Sequence, residues 1–116
     1  MNAQEQLLEN LSSNMNFKSF QHYIHEIMIH RGFNNQTPQE KMMLLIEEIG
    51  ELAKALRKNN TNLAIDYKRI DNYDSAENEI ADTLIVLFSL CDLLGIDIEK
   101  CILSKESINV TRTWKK

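Results

Sequence analysis

Apolar residues recur every three or four positions along most of this 116-residue chain, which is the spacing of amphipathic helices. The pattern predicts four main helices: near Asn16 to about His30, Pro38 to about Lys58, Asp74 or Ser75 to Gly95, and from near Asp97 toward the C-terminus. Residues 1–15 are polar around three leucines and predict only a short or frayed helix. Residues 59–74 form a polar connection, and connections of that length are often functional.

Capping signals mark two of these boundaries. Thr37 can cap a helix, Pro38 suits the first helical position, and Glu40 completes a capping box. Gly32 lies where a left-handed C-cap is expected. The whole chain has three glycines and one proline, too few turn residues for a many-stranded β protein. We therefore predict an all-α fold, a single domain over residues 1–116 built as a four-helix bundle.

Acidic residues interrupt the apolar face of the second predicted helix. On a helical wheel Glu48 lies between Leu44 and Leu52, at the edge of the stripe that the pattern buries. Glu51 lies four residues after Glu47 and three after Glu48, so the three carboxylates form one patch. A solvated helix face is the alternative interpretation of this patch.

The third predicted helix is apolar almost all round, yet it carries Glu79 and Asp82. Such a helix must be covered on every side, and an unpaired buried carboxylate costs several kcal/mol, roughly, unless a cation compensates. Oxygen ligands at ExxE and ExxD spacing suit Mg²⁺ or Mn²⁺. No ExxH motif accompanies them, which disfavours a di-iron carboxylate site.

The charge and the cysteines narrow the function classes. Thirteen basic and seventeen acidic residues give a formal charge of −4, which argues against a nucleic-acid binder. Without the five motif carboxylates the charge is +1, so the acidity is local. Cys91 and Cys101 lack CxxC spacing and are interpreted as reduced core residues. The N-terminus does not resemble a signal peptide and no apolar run approaches 20 residues, so we expect a cytoplasmic protein without membrane contact.

The sequences Glu47-Glu48-Ile49-Gly50-Glu51 and Glu79-Ile80-Ala81-Asp82 resemble the EExxE…ExxD signature of the MazG-like all-α nucleoside triphosphate pyrophosphohydrolases. The resemblance covers about residues 16–114 and implies Mg²⁺-dependent hydrolysis between the α- and β-phosphates, in nucleotide-pool house-cleaning. It implies that the metal ligands are Glu48, Glu51, Glu79 and Asp82. It also implies a catalytic role for Glu48 and Glu47, in which Glu47 would support a further metal or orient the attacking water. Lys105, Asn109 and Arg112 resemble the family's KxxxNxxR stretch and would bind the phosphates from one face of the fourth helix.

The same resemblance implies a homodimer or homotetramer that builds its site between subunits. Several substrates stay open, among them dUTP, dCTP, a damaged nucleotide and phosphoribosyl-ATP. A non-catalytic helical module for protein interaction or nucleotide sensing is the alternative from another class, although all five acidic residues are present. His22, Glu26 and His30 share a helical face, but without an HExxH motif they are interpreted as solvated rather than as a zinc site.

Overall fold

The computed structural model describes residues 1–69 and 73–115, and within these ranges the regular structure is entirely helical. The five helices are α1 (Ala3–Ser13), α2 (Phe17–Arg31), α3 (Pro38–Asn60), α4 (Ala76–Leu94) and α5 (Ile98–Asn109). The all-α prediction is confirmed, with one more full helix than the four expected. The predicted connection includes residues 70–72, which lie outside the described residues.

The chain divides into two compact units. The first unit combines Met1–Asn34 with Cys91–Lys116, and the second is Asn35–Leu90. Helix α4 begins in the second unit and ends in the first. The single-domain organisation stays a prediction.

Residues 1–15 contain the short helix α1, capped at its start, so of the two forms expected there, a short or a frayed helix, the structure shows the short one. The Asn2 side chain accepts a hydrogen bond from the Glu5 backbone N–H at 2.8 Å, and the Glu5 carboxylate accepts one from the Asn2 backbone N–H at 3.2 Å. This capping box satisfies two amide groups that a fraying helix leaves open. α1 packs on α2 and buries Leu11.

Helix α2 supplies the centre of the first unit. Ile24 and Ile27 are fully buried, and Gly32 ends the helix with φ 74°, as its position predicted. The Gln21 side chain donates to the Ile96 carbonyl at 2.9 Å and accepts from the Ile98 backbone N–H at 3.0 Å. These two bonds fasten α2 to the start of α5.

The capping box predicted for α3 is also present. Thr37 Oγ1 accepts from the Glu40 backbone N–H at 3.1 Å, and the Glu40 carboxylate accepts from the Thr37 backbone N–H at 2.9 Å. α3 continues to Asn60, slightly beyond the predicted end at Lys58. Among the described residues, no helix is both long and apolar enough to cross a membrane.

Helix α5 is shorter than predicted and does not carry Arg112. The Val110 N–H still bonds to the carbonyl four residues back, whereas the Thr111 and Arg112 N–H groups bond three residues back, to Ile108 at 3.0 Å and Asn109 at 3.1 Å. This tighter pattern is typical of a helix end. The expectation that Lys105, Asn109 and Arg112 share one helical face is therefore wrong for Arg112.

Candidate metal centre

Three carboxylates of the second unit meet between α3 and α4. Glu48 of α3 and Glu79 and Asp82 of α4 each offer an oxygen, and these three oxygens lie within 4.8 Å of one another. Glu79 and Asp82 are three residues apart and so share a face of α4. Glu79 is 5% exposed, Glu48 is half-buried and Asp82 is exposed, so the carboxylate cluster opens to solvent on one side.

The cluster is electrostatically unfavourable in the absence of a cation. Burial raises the pKa of Glu79, and the negative charge of Asp82 raises it further. Burial also raises the pKa of Glu48, with smaller contributions from Asp82 and Glu79. Both pKa values are raised because desolvation and neighbouring negative charges disfavour the charged carboxylate.

One carboxylate oxygen of the cluster has no partner among the described residues. Glu79 Oε2 is buried and accepts no hydrogen bond. A buried acceptor without a donor costs about 1–3 kcal/mol, and more when the group is charged. An oxygen-only set of three carboxylates with one unsatisfied buried oxygen suits a hard divalent cation, so the residues present fit Mg²⁺ or Mn²⁺.

Glu51 and Glu47 flank this cluster on α3. Glu51 is outside the group of three, but its charge raises the pKa of both Glu48 and Glu79. Its carboxylate lies 3.8 Å from Lys54 Nζ. Glu47 is exposed and lines a cavity of about 210 Å³ with Gln36, whose Oε1 is buried without a hydrogen-bond partner. Of the five predicted carboxylates, the structure brings three into direct proximity.

The predicted phosphate-binding residues belong to the first unit. Lys105 is exposed on α5, and the Asn109 side chain donates to Glu106 at 2.8 Å. The Arg112 guanidinium lies 4.7 Å from the centre of the Trp114 ring. The contribution of these three residues to phosphate binding stays a prediction.

Sequence reasoning missed two features of the second unit. Lys41 is only 4% exposed. It lies seven residues, or two helical turns, before Glu48 and therefore on the same face of α3, a spacing that is visible in the sequence. Tyr73 contacts three basic residues of α3, as described below. No sequence signal identified that cluster, because the contacts join residues on either side of a long connection.

Comparison with known proteins assigns the family. The family model of the MazG nucleotide pyrophosphohydrolase domain matches residues 36–107, which include all five motif carboxylates. The chain is 31% identical over 86 residues to the dATP/dGTP diphosphohydrolase of Cyanophage S-2L, a match that covers 74% of this chain and 67% of that protein. No solved structure gives a significant match. Because the family match spans more than half of the sequence, the chain belongs to the MazG nucleotide pyrophosphohydrolase family.

Proposed function

We propose that this nucleotide pyrophosphohydrolase cleaves nucleoside triphosphates between the α- and β-phosphates, giving a nucleoside monophosphate and pyrophosphate in a Mg²⁺-dependent reaction. The observation that carries the proposal is the carboxylate cluster, in which Glu48, Glu79 and Asp82 offer oxygens within 4.8 Å of one another. Because a triphosphate is polyanionic, it approaches three carboxylates only if cations lie between its phosphates and the carboxylates.

The proposed metal ligands are Glu48, Glu51, Glu79 and Asp82. Mg²⁺ bound there would neutralise part of the phosphate charge and lower the pKa of a water molecule beside it. Glu79 is the most buried ligand of the set. Glu47 is exposed beside the cluster, where it is suited to orient the attacking water.

The substrate class follows from the relative in Cyanophage S-2L, which is named for dATP and dGTP. We infer that purine deoxynucleoside triphosphates are the first substrates to test, and that the role is the removal of specific nucleotides from the pool. Because that pool is cytoplasmic, the proposal includes a cytoplasmic location. Lys105, Asn109 and Arg112 remain proposed contacts of the phosphates.

Self-association is the second part of the proposal. Large apolar side chains of α3 and α4 are about half exposed, among them Ile46 (61%), Ile49 (50%), Ile80 (49%) and Leu84 (45%). Large exposed apolar side chains of this kind, when they lie together, are typical of a protein interface. The proposed partner is a second copy of the chain, in a homodimer or homotetramer, with neither nucleic acid nor membrane involved.

A pyrophosphate-release assay tests the activity. The full chain is incubated with canonical and modified nucleoside triphosphates, with Mg²⁺ and with EDTA. Glu48→Gln and Asp82→Asn should abolish Mg²⁺-dependent release, whereas Glu77→Gln, an exposed neighbour on α4, should retain it. Circular dichroism checks that each variant keeps its helices. If no substrate is turned over while nucleotides still bind, the chain is a nucleotide-sensing module instead.

Light scattering tests the assembly. The expected result at micromolar concentration is a mass of at least two chains. A monomeric mass would refute the self-association.

A further inference from the structure

Three basic side chains near the end of α3 surround Tyr73. Arg57 Nη2 donates a hydrogen bond to the Tyr73 hydroxyl at 2.8 Å. Lys54 Nζ lies 5.0 Å from the centre of the Tyr73 ring, and Lys58 Nζ lies 3.5 Å from the Tyr73 carbonyl oxygen. These four residues, here called the Tyr73 cluster, all belong to the second unit.

The positive charge of the Tyr73 cluster is poorly neutralised. Lys54 pairs with Glu51 at 3.8 Å, but both side chains are nearly half exposed, and an exposed pair of this kind contributes little. Arg57 contacts the neutral phenol of Tyr73 and forms no ion pair among the described residues. Lys58 contacts a carbonyl and lies close enough to Asp74 for their charges to interact.

An unpaired donor accompanies this charge. The Arg57 Nε atom is buried and has no acceptor among the described residues. Basic residues in the last turn of a helix interact favourably with the helix dipole, which accounts for positive charge at this end of α3. The helix dipole does not explain why Arg57 keeps a buried N–H group without an acceptor. A buried donor without an acceptor is energetically costly, so it calls for another explanation.

The Tyr73 cluster begins beside the carboxylate cluster. Lys54 lies one turn beyond Glu51 on α3, a rise of about 4.5 Å, and Lys58 follows one turn later on the same face. Glu51 in turn interacts with Glu48 and Glu79 through its charge. One face of α3 thus passes from acidic residues that suit a metal to basic residues that suit an anion.

We propose that Lys54, Arg57 and Lys58 form a subsite for the β- and γ-phosphates of the substrate, which leave as pyrophosphate. This inference rests on the proposed function. In the reaction the water oxygen forms a bond to the α-phosphorus, the bond from that phosphorus to the bridging oxygen breaks, and its electron pair stays on the pyrophosphate oxygen. The attacking water releases its proton to solvent, and negative charge accumulates on the leaving group because that group keeps the electron pair of the broken bond. Arginine and lysine donors stabilise such charge, and the planar guanidinium can bind two phosphate oxygens at once.

Tyr73 acts as a positioning residue in this subsite. Its hydroxyl accepts one N–H of Arg57 Nη2 and so fixes the guanidinium, which keeps further N–H donors for the phosphate. Arginine loses less conformational freedom on binding when its fork is already fixed.

Calorimetry with two small ligands tests the subsite. Pyrophosphate and 2′-deoxyadenosine monophosphate are titrated separately into the full chain in the presence of Mg²⁺. Arg57→Gln is expected to weaken pyrophosphate binding about tenfold or more, since hydrogen bonds to charged groups contribute at that level. Binding of the monophosphate, which lacks the β- and γ-phosphates, is expected to stay within about twofold. Lys54→Gln should show the same selectivity with a smaller loss.

The matched control is Arg31→Gln. Arg31 is an arginine in the last turn of α2, in the first unit, so its replacement removes the same charge from the last turn of a helix. It should bind pyrophosphate as the unchanged protein does. Tyr73→Phe, which keeps every charge and loses only the hydroxyl, should raise the KM for the triphosphate and leave monophosphate binding unaltered.

Two results would overturn the subsite. One is an Arg57→Gln variant that keeps its helices and binds pyrophosphate as tightly as the unchanged protein. The other is an equal loss of affinity for pyrophosphate and monophosphate, which would assign the Tyr73 cluster to the structure of α3 or to the α-phosphate. Failure of the proposed function is a separate outcome, because it appears as absence of turnover in the unchanged protein.

Discussion

Glu79→Gln should stabilise the metal-free protein and abolish its response to divalent cations. Glu79 is 5% exposed, its Oε2 has no partner, and Glu48 and Asp82 offer oxygens within 4.8 Å. Glutamine has nearly the same shape, carries no charge and supplies an N–H donor to a group of acceptors. The substitution therefore removes repulsion and adds a possible hydrogen bond, while it removes the most buried of the proposed ligands.

The magnitude follows from the separation of the carboxylates. Two unit charges 4.8 Å apart repel by about 0.9 kcal/mol in water and by about 3.5 kcal/mol at an effective dielectric constant of 20. Asp82 is exposed and Glu48 is half-buried, so the value near the aqueous limit applies. We expect a gain of about 1 kcal/mol in the free energy of unfolding, which for a chain of this size is a rise of about 4 °C in Tm.

The gain should depend on pH. Burial and the charge of Asp82 raise the pKa of Glu79 above its ordinary value of 4.5, and burial is also the main cause of the raised pKa of Glu48. Between pH 4.5 and the raised values the folded protein holds more protons than the unfolded chain, so its stability falls as the pH rises through that window. The advantage of Glu79→Gln should be small below pH 4.5 and grow as the pH rises through the raised pKa of Glu79.

Thermal unfolding followed by circular dichroism measures both effects. Melting curves are recorded at pH 4 and pH 8, with EDTA and with Mg²⁺ or Mn²⁺, for the unchanged protein, Glu79→Gln and Glu77→Gln. Glu77 is exposed in the first turn of α4, so its replacement should give no gain. The reasoning fails if Glu79→Gln melts below the unchanged protein at pH 8 in EDTA, or if the variant keeps the full stabilisation by divalent cations.

Substitutions at four further positions test local features of the fold and the assembly. Gly32→Ala should lower the free energy of unfolding by about 1 kcal/mol in urea denaturation, because the residue has φ 74°. Gly50→Ala should raise it by up to about 1 kcal/mol, since Gly50 is helical and its added Cβ meets open space; equal effects at both glycines would contradict the backbone argument. Thr37→Ala should cost about 1 kcal/mol and Thr37→Ser much less, because only the hydroxyl caps α3. Ile46→Glu should shift the mass measured by light scattering toward the single chain, because Ile46 is 61% exposed on α3; an unchanged mass places the interface elsewhere.

The helix boundaries that the sequence predicted correctly are those governed by neighbouring residues. The capping box of Thr37 and Glu40 and the left-handed Gly32 depend on chemistry within one turn, which the sequence states directly. Asn2 and Glu5 likewise form a capping box, at the start of α1. That signal was present in the sequence.

The end of α5 shows where spacing alone misleads. Lys105, Asn109 and Arg112 have helical spacing, yet the helix ends at Asn109. The next two residues, Val110 and Thr111, are β-branched, and such side chains lose rotamer freedom in a helix. With no tertiary packing to favour another turn at the exposed Val110, the helix ends there.

The carboxylate cluster was predictable because acidic residues on an apolar helix are a strong anomaly. Glu79 and Asp82 had few structural explanations besides a cation, and the structure places them with Glu48. The Tyr73 cluster had no such anomaly. Basic residues near a helix C-terminus are ordinary, and only the fold shows that Arg57 is held by a tyrosine sixteen positions away.

The arrangement of charge on α3 is what makes a two-part site physically reasonable. If Arg57 stood one turn nearer Glu51, the two side chains could form an ion pair, and neither would be available to a metal or a phosphate. Among the described residues, the acidic and basic groups of α3 touch only through Lys54 and Glu51, at 3.8 Å and with both side chains nearly half exposed. A contact this weak is readily replaced by stronger ones, in which Glu51 binds a cation and Lys54 binds a phosphate oxygen. Glu79 and Arg57 each leave one buried atom without a partner among the described residues, an oxygen that favours positive charge and a nitrogen that favours negative charge, and a ligand that carries both charges would satisfy the two. A metal-bound triphosphate has that distribution of charge.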